Sequence, residues 1–347
     1  FVALETSREV AVVDAYNSRE LFRFDAGRAP QGLAISPDGR RLYVNNFMDR
    51  TVDTYDLSEL QDSGQWNVPR LASRSSITTE RLAANVLLGK QLFYDARDPR
   101  LARDRYMSCA SCHNDGGHDG RVWDLTGMGE GLRNTISLNG RASMSHGFLH
   151  WSANFDELQD FEGQIRGFAG GTGLMSDAAF ATRSEPLGAT KAGASADLDA
   201  LAAYVASLST FANSPYRSSS GSLTTDGSRG RTVFQNAGCG SCHSGTKFTS
   251  SGAATLQDIG SIKPSSGLRL GGELTGLDPP TLRDVWATAP YLHDGSAATL
   301  ADAVRAHTGV NLSTTDVNAV SAYLSQIGSE EATAPVPPPP PPATGSG

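Results

Sequence analysis

The chain is poor in sulfur and in basic charge. Its 347 residues include four cysteines and five methionines, and 29 Lys and Arg stand against 37 Asp and Glu, a formal net charge of −8. Four cysteines cannot staple a chain of this length, which excludes a disulfide-built fold. The acidic balance excludes DNA and RNA as partners, because binding to a phosphate backbone draws most of its affinity from clustered Lys and Arg. No run approaches the ~18 apolar residues that a membrane span requires, and no charged-then-apolar leader is present. A soluble chain is expected. It starts at Phe1 rather than Met, so it is expected to be processed or cut from a longer precursor, with room for a removed export signal. Hydrophobic residues make up only 39% and glycines number 37, so either loops are abundant or something other than side chains fills the interior.

The length corresponds to about 2.3 average domains, so two or three units are expected. The first sixty residues read as strands, from alternating apolar positions in Val10-Ala11-Val12-Val13-Asp14 and Leu42-Tyr43-Val44 and from the turn Ser36-Pro37-Asp38-Gly39. Val10 to Asp14 recurs 42 residues later as Val52 to Asp56, within the period of a four-stranded propeller blade. With Pro30-Gln31-Gly32-Leu33-Ala34-Ile35 and Tyr43-Val44-Asn45-Asn46, residues 1–62 resemble the YVTN family of β-propeller repeats. One and a half blades cannot close a ring, so further blades from a larger assembly, or a small β-subdomain, are the two readings. Helical patterning starts near residue 78, and a serine- and glycine-rich break at 214–228 divides a unit at 78–213 from one at 229–330. Residues 331–347 read as a disordered Pro-rich linker.

All four cysteines lie in two runs, Cys109-Ala110-Ser111-Cys112-His113 and Cys239-Gly240-Ser241-Cys242-His243. Each is C-x-x-C-H, the attachment signature of a c-type haem: two thiols form thioethers and the adjacent histidine takes the iron. On one helical turn, positions i and i+3 present both sulfurs to one edge of the macrocycle and the histidine at i+4 lies over its face. Zinc held by two C-x-x-C pairs, or two redox disulfides, would leave His113 and His243 as accidents. Five histidines remain: His118, His146, His150, His293 and His307. Thr299 to Asp302 reads as a helix start, after which Leu300, Ala303, Val304 and His307 share one face, so His307 is expected to point inward where iron would partner it.

The order of blocks then resembles the bacterial di-haem cytochrome c peroxidase family, and the related di-haem enzyme that matures methylamine dehydrogenase. The blocks are Leu88-Gly89-Lys90-Gln91-Leu92-Phe93-Tyr94-Asp95, the first C-x-x-C-H, Arg133 to Leu138, the second C-x-x-C-H, Pro280 to Val285, and Ala289 to Gly295. The resemblance spans residues 80–328 and implies a mainly α fold of two c-type cytochrome domains, each around one haem, with the strand segment in front and the Pro-rich tail behind. It implies a peroxidatic first haem on His113 and an electron-transferring second haem on His243. The family's second distal ligand stands fourteen residues beyond the histidine of the last block, which is His307 here. No methionine follows Met175, so a second imidazole replaces a thioether, which favours the ferric state.

At the first haem, peroxide cleavage needs an openable iron position and an acid. On a helix from Phe155 to Arg166, at about 100° per residue, Glu162 falls inside the apolar arc of Phe155, Leu158, Phe161 and Ile165, and Asp160 faces away. Ungapped counting from the family favours Asp160 instead, so both are carried as acid/base residues. The distal position is open or filled by Met128, His146 or His150. Trp123 and Trp151 are substitutes for the aromatic that the family keeps between its haems. The resemblance also implies one calcium ion held by the Thr288 and Pro290 carbonyls. The expected function is peroxide reduction with electrons from a small cytochrome or cupredoxin, in the periplasm or at the cell surface. The competing functions are a permanently six-coordinate electron-transfer or scaffold cytochrome, and an oxidase of a protein or organic substrate.

Overall fold

The computed structural model describes residues 1–338, which form two compact units. The Pro-rich stretch from 339 to 347 lies outside the described residues. The first unit comprises Phe1–Asp115 with Gln159–Ser184 and Thr190–Ser207; the second comprises Gly116–Leu158, Glu185–Ala189 and the chain from Leu208 onward.

In the first unit, β1 (Val2–Leu4), β2 (Glu9–Asp14) and β3 (Arg19–Asp25) form one antiparallel sheet. A second antiparallel meander runs β4 (Pro30–Ile35), β5 (Arg41–Asn46), β6 (Thr51–Asp56) and β7 (Arg70–Ser75), with the short helix α1 (Ser58–Ser63) before its last strand. The alternation seen in the sequence is structural: Leu42, Val44 and Asn46 of β5 are buried while Arg41 and Tyr43 are exposed. Val10, Leu42, Val44, Tyr55 and Leu57 meet in one core. The strands continue to Ser75 rather than ending at 62, because α1 and the residues after it only postpone the last strand. Seven strands also make the protein a mixture of sheet and helix, not mainly α. Among the described residues the two sheets stay open, and no propeller ring is closed.

The helices of the two units repeat one device. In the first unit α2 (Ala84–Phe93) crosses α5 (Ala196–Ser207); α3 (Phe161–Gly167) and α4 (Asp177–Ala181) lie between them in sequence. At the crossing, a Cβ on Gly89 would strike the Ala200 carbonyl and come within 2.9 Å of Tyr204 Cβ. One turn on, Phe93 meets Tyr204 edge to face, centroids 5.1 Å apart. In the second unit α6 (Thr225–Asn236) crosses α8 (Thr314–Leu324), with α7 (Leu300–Arg305) before it. There a Cβ on Gly230 would strike the Ala319 carbonyl and come within 2.8 Å of Tyr323 Cβ, and Phe234 meets Tyr323 edge to face at 5.6 Å. Glycine removes the side chain that would hold the backbones apart, and the aromatic four residues later seals the crossing. Each such helix precedes one of the cysteine runs.

The expected linker from 331 is corrected in its first residues. Glu331 is buried, accepting from Tyr323 Oη at 3.2 Å and Arg231 Nε at 3.1 Å and pairing with Arg217, while Arg283 donates to its carbonyl. Ala334 joins the core of Phe234, Phe248, Tyr323 and Ile327, and its N–H donates to the Gly245 carbonyl. Proline-rich composition predicts an extended chain, but this stretch finds buried arginines and an apolar floor to dock on.

Candidate functional site

Both cysteine runs fold as the same turn. A 3-10 turn spans Cys109–Ser111 in the first unit and Cys239–Ser241 in the second. The Cys109 carbonyl accepts from the backbone N–H of Cys112 (3.3 Å) and of His113 (2.9 Å); the Cys239 carbonyl accepts from Cys242 (3.3 Å) and His243 (3.0 Å). The first turn is fixed by Ser111, whose Oγ accepts from the Ser108 N–H at 3.0 Å and whose own N–H donates to the Ser108 carbonyl. Burial pushes the Cys109 thiol up to about 11 and raises that of Cys239, so neither is poised as a thiolate for redox exchange. Among the described residues no three His, Cys, Asp or Glu side chains gather as a metal cluster.

The second turn opens on a cavity of about 370 Å³ within its own unit. Cys239, Cys242 and His243 line it on one side; Leu300, Ala303, Val304 and His307 of the α7 segment line it as well. Helix α7 starts where its capping residues require, with Thr299 accepting from Asp302 N–H and the Asp302 carboxylate accepting in return. His307 lies just past its end. The rings of His243 and His307 stand 6.5 Å apart, centroid to centroid. A metal–imidazole bond is about 2.0 Å long, so two imidazoles on opposite sides of one metal place their centroids a little over ~6 Å apart. The observed spacing fits one metal ion between them.

The second nitrogen of each ring supports that fit. His243 Nδ1 is bonded to the Pro280 carbonyl at 3.1 Å and His307 Nδ1 to the Ala303 carbonyl at 2.9 Å. A carbonyl accepts only from N–H, so both rings carry the proton on Nδ1 and present Nε2 for coordination, the orientation that metal-ligating histidines show. Burial, and then the neighbouring His307, lower the pKa of His243 to about 4. It is therefore neutral at physiological pH, as a ligand must be. The cavity wall also holds buried polar atoms without hydrogen-bond partners: Arg141 Nε, Ser261 Oγ, Asn134 Oδ1, Asp278 Oδ1 and His293 Nδ1. Such atoms are costly unless a polar group shares the space, and a macrocycle bearing carboxylates is one. The residues fit a bis-imidazole c-type haem.

The acid/base candidates of the first unit are placed differently from expectation. Helix α3 begins only at Phe161; Leu158–Asp160 is a 3-10 turn, so even spacing at 100° does not extend back to Asp160. Asp160 is 2% exposed and bonded to the buried Lys191 ammonium at 2.5 Å, not turned outward. Glu162 is wholly buried, as its apolar arc predicts. Its oxygens accept from Arg166 Nε (2.8 Å), Leu174 N–H (2.9 Å) and Met175 N–H (3.0 Å). A carboxylate so engaged braces the 173–175 segment.

The remaining candidates lie in the second unit. Met128 ends a 3-10 turn at the surface, and His146 ends another. His150 is oriented by Asn154 Oδ1 at 2.7 Å; Asn154 in turn donates to buried Glu130, which also accepts from Ser152 and pairs with Arg133. Trp151 lines the cavity of His243 and His307, whereas Trp123, on the strand Val122–Asp124, donates to Asp119. Thr288 precedes the cis Ala289-Pro290 bond, and the Pro290 and Leu292 carbonyls accept from Asn134 Nδ2. Sequence reasoning missed Arg141 and Asp278, which stand among other polar, glycine and proline residues with nothing to single them out, and the roles of Asn134 and of Pro280, which acts through its carbonyl and leaves no side-chain trace.

Residues 83–168 match a family model described as di-haem cytochrome c peroxidase, and residues 276–308 match a RoxA-like, cytochrome c-like family. Hydrazine synthase subunit gamma of Kuenenia stuttgartiensis is 29% identical over 57% of this chain and 63% of its own. Cytochrome c551 peroxidase of Pseudomonas aeruginosa is 28% identical over 70% and 78%. Methylamine utilization protein MauG of Methylorubrum extorquens is 27% identical over 65% and 67%. The chain thus spans less than two thirds of the hydrazine synthase subunit. Over part of its length the chain is thus similar to proteins described as di-haem cytochrome c peroxidases and to MauG.

Proposed function

We propose that the protein is a di-haem c-type oxidoreductase in which electrons enter at the haem of His243 and His307 and pass to the haem of His113, where hydrogen peroxide is reduced. The observation that carries it is the 6.5 Å spacing of His243 and His307 with both Nδ1 atoms committed to carbonyls. When bound, the irons supply the electron relay and the peroxide chemistry. The chain's part is to hold neutral imidazoles at fixed orientation, keep water from the second site with Leu300, Val304 and Leu324, and place Trp151 on that cavity's wall. Of the distal candidates, His150 has its Nδ1 bonded to Asn154, which in turn donates to Glu130. Glu162 is the acid/base residue only if peroxide binding releases Arg166 from it.

A calcium ion at the Thr288 and Pro290 carbonyls belongs to the same reading. Turned over, the Asn134 amide would set its unpartnered oxygen beside the Pro290 and Leu292 carbonyls, hard donors of the kind calcium takes. On this reading the donor is a small cytochrome or cupredoxin, and the mature protein, its thioethers completed outside the cytoplasm, is periplasmic or at the cell surface.

The test is the visible and electron paramagnetic resonance spectrum of the holoprotein with and without peroxide, for wild type and His307→Ala. One low-spin, bis-imidazole signal turning high-spin in the variant, together with peroxide turnover by wild type, is expected. A wild-type protein that is low-spin at both irons in every redox state and consumes no peroxide sinks the enzyme reading and leaves an electron-transfer cytochrome.

A further inference from the structure

We infer that Asp278 is the proton-linked group of the second cavity, its carboxylate taking up one proton from solvent when that site gains one electron from the donor and returning it on reoxidation. The inference deepens the reading above and rests on a haem occupying the cavity of His243 and His307.

Asp278 is 6% exposed and lines that cavity. One oxygen, Oδ2, accepts from Ser251 Oγ at 2.6 Å, and the other, Oδ1, has no partner. Its backbone N–H donates to the Trp151 carbonyl at 2.7 Å, which fixes the residue in the wall. No Lys or Arg is paired with it among the described ion pairs. Besides Cys239, Cys242, His243 and His307, the other titratable groups on the wall are Arg141, Asp258, Tyr291 and His293. Arg141 is turned to Asp284, 3.6 Å away, and His293 is bonded to Ser266 Oγ at 2.7 Å.

A buried carboxylate with one hydrogen bond and no counter-ion is expensive, so the neutral acid is favoured. Burial is the first cause of its raised pKa, pushed up to about 7, and the Ser251 hydroxyl opposes it. The group therefore sits near its midpoint at physiological pH. Reduction removes one positive charge from the cavity it lines, and in a low-dielectric interior that change must raise the carboxyl's proton affinity further. A proton then accompanies the electron. The unpartnered Oδ1 also gives the protonated acid a direction in which to donate, toward a group held in the cavity.

The experiment is a spectroelectrochemical titration of the second haem in the holoprotein from pH 5 to 9. In wild type the midpoint potential should fall with pH around neutrality, with a slope approaching about 59 mV per pH unit, the one-electron value for a tenfold change. Asp278→Asn should flatten the slope, and Asp278→Glu should keep it. Ser251→Ala, which removes the one bond that favours the ionised form, should move the sloping region to higher pH, and this decides the matter if Asp278→Asn does not fold. A slope unchanged in Asp278→Asn, or no slope in wild type, overturns the inference. Absence of a bis-imidazole low-spin signal in the same samples instead overturns the haem assignment beneath it.

Discussion

Replacing Gly230 by Ala tests the idea that a glycine-mediated helix crossing builds each haem unit. Alanine favours a helix interior by about 1 kcal/mol over glycine, so without tertiary contact the change would stabilise. At Gly230 the new methyl meets the Ala319 carbonyl inside van der Waals contact and Tyr323 Cβ at 2.8 Å, where carbon atoms normally rest about 3.5–4.0 Å apart. The obstacle is backbone, so α6 and α8 must part by roughly 1 Å, loosening Phe234 on Tyr323 and the core with Val320 and Leu324. Overpacking costs roughly 1–3 kcal/mol, occasionally more. The carbonyl cannot rotate aside as a side chain would, which places the cost at the upper end and leaves a net loss of about 1–2 kcal/mol. Gly163→Ala is the matched control: it lies within α3 and nothing stands within 4 Å of its would-be Cβ, so the same substitution should stabilise by ~0.5–1 kcal/mol. Guanidinium denaturation of the holoproteins, followed by far-ultraviolet circular dichroism and by haem absorbance, measures both. If Gly230→Ala is as stable as wild type, the crossing is not the close contact described, and the parallel drawn with Gly89 fails with it.

Glu130→Gln should cost about 3–5 kcal/mol, because it leaves the guanidinium of Arg133, 6% exposed, without its charge partner; thermal unfolding measures this, and a loss below ~1 kcal/mol would show that the Leu132 and Ser266 carbonyls suffice. Asp284 is held up to about 6, chiefly by burial, with Arg141 opposing. Its folded pKa exceeds 3.8, so between about pH 4 and 6 the folded state binds more protons than the unfolded one and stability falls as pH rises through that window. Asp284→Asn should flatten that decline; an unaltered profile assigns it to another group.

The site was legible where chemistry forces a local pattern. Two thiols and a histidine must occupy one turn to reach one macrocycle, so Cys109 to His113 and Cys239 to His243 announce themselves, and both fold as the turn that spacing requires. His307 was readable because a helix start at Thr299 fixes which later residues share a face with Leu300. The same arithmetic misplaced Asp160, since the regular helix starts one residue after it and the preceding 3-10 turn follows another angle. Composition misread Glu331 to Val336 for a related reason: proline sets how a chain extends but not what lies beneath it, and Arg217, Arg231 and Arg283 are supplied by distant parts of the unit.

What stayed hidden acts through backbone or through absence. The Pro280 and Ala303 carbonyls choose the tautomers of His243 and His307, yet any residue could supply a carbonyl, so no side chain marks them. Their consequence is nonetheless specific. With Nδ1 of each ring tied to the main chain, neither imidazole can rotate to offer its other nitrogen, and loss of the metal cannot be compensated by a flip. Substituting His307 should thus leave the Ala303 carbonyl to solvent at a helix end at little cost, whereas substituting His243 unties the buried Pro280 segment that also anchors Thr249 and the Lys247 carbonyl through Pro279 and Thr281. On the proposed ligation, this asymmetry lets the distal ligand be replaced while the proximal one stays tied to the core of its unit.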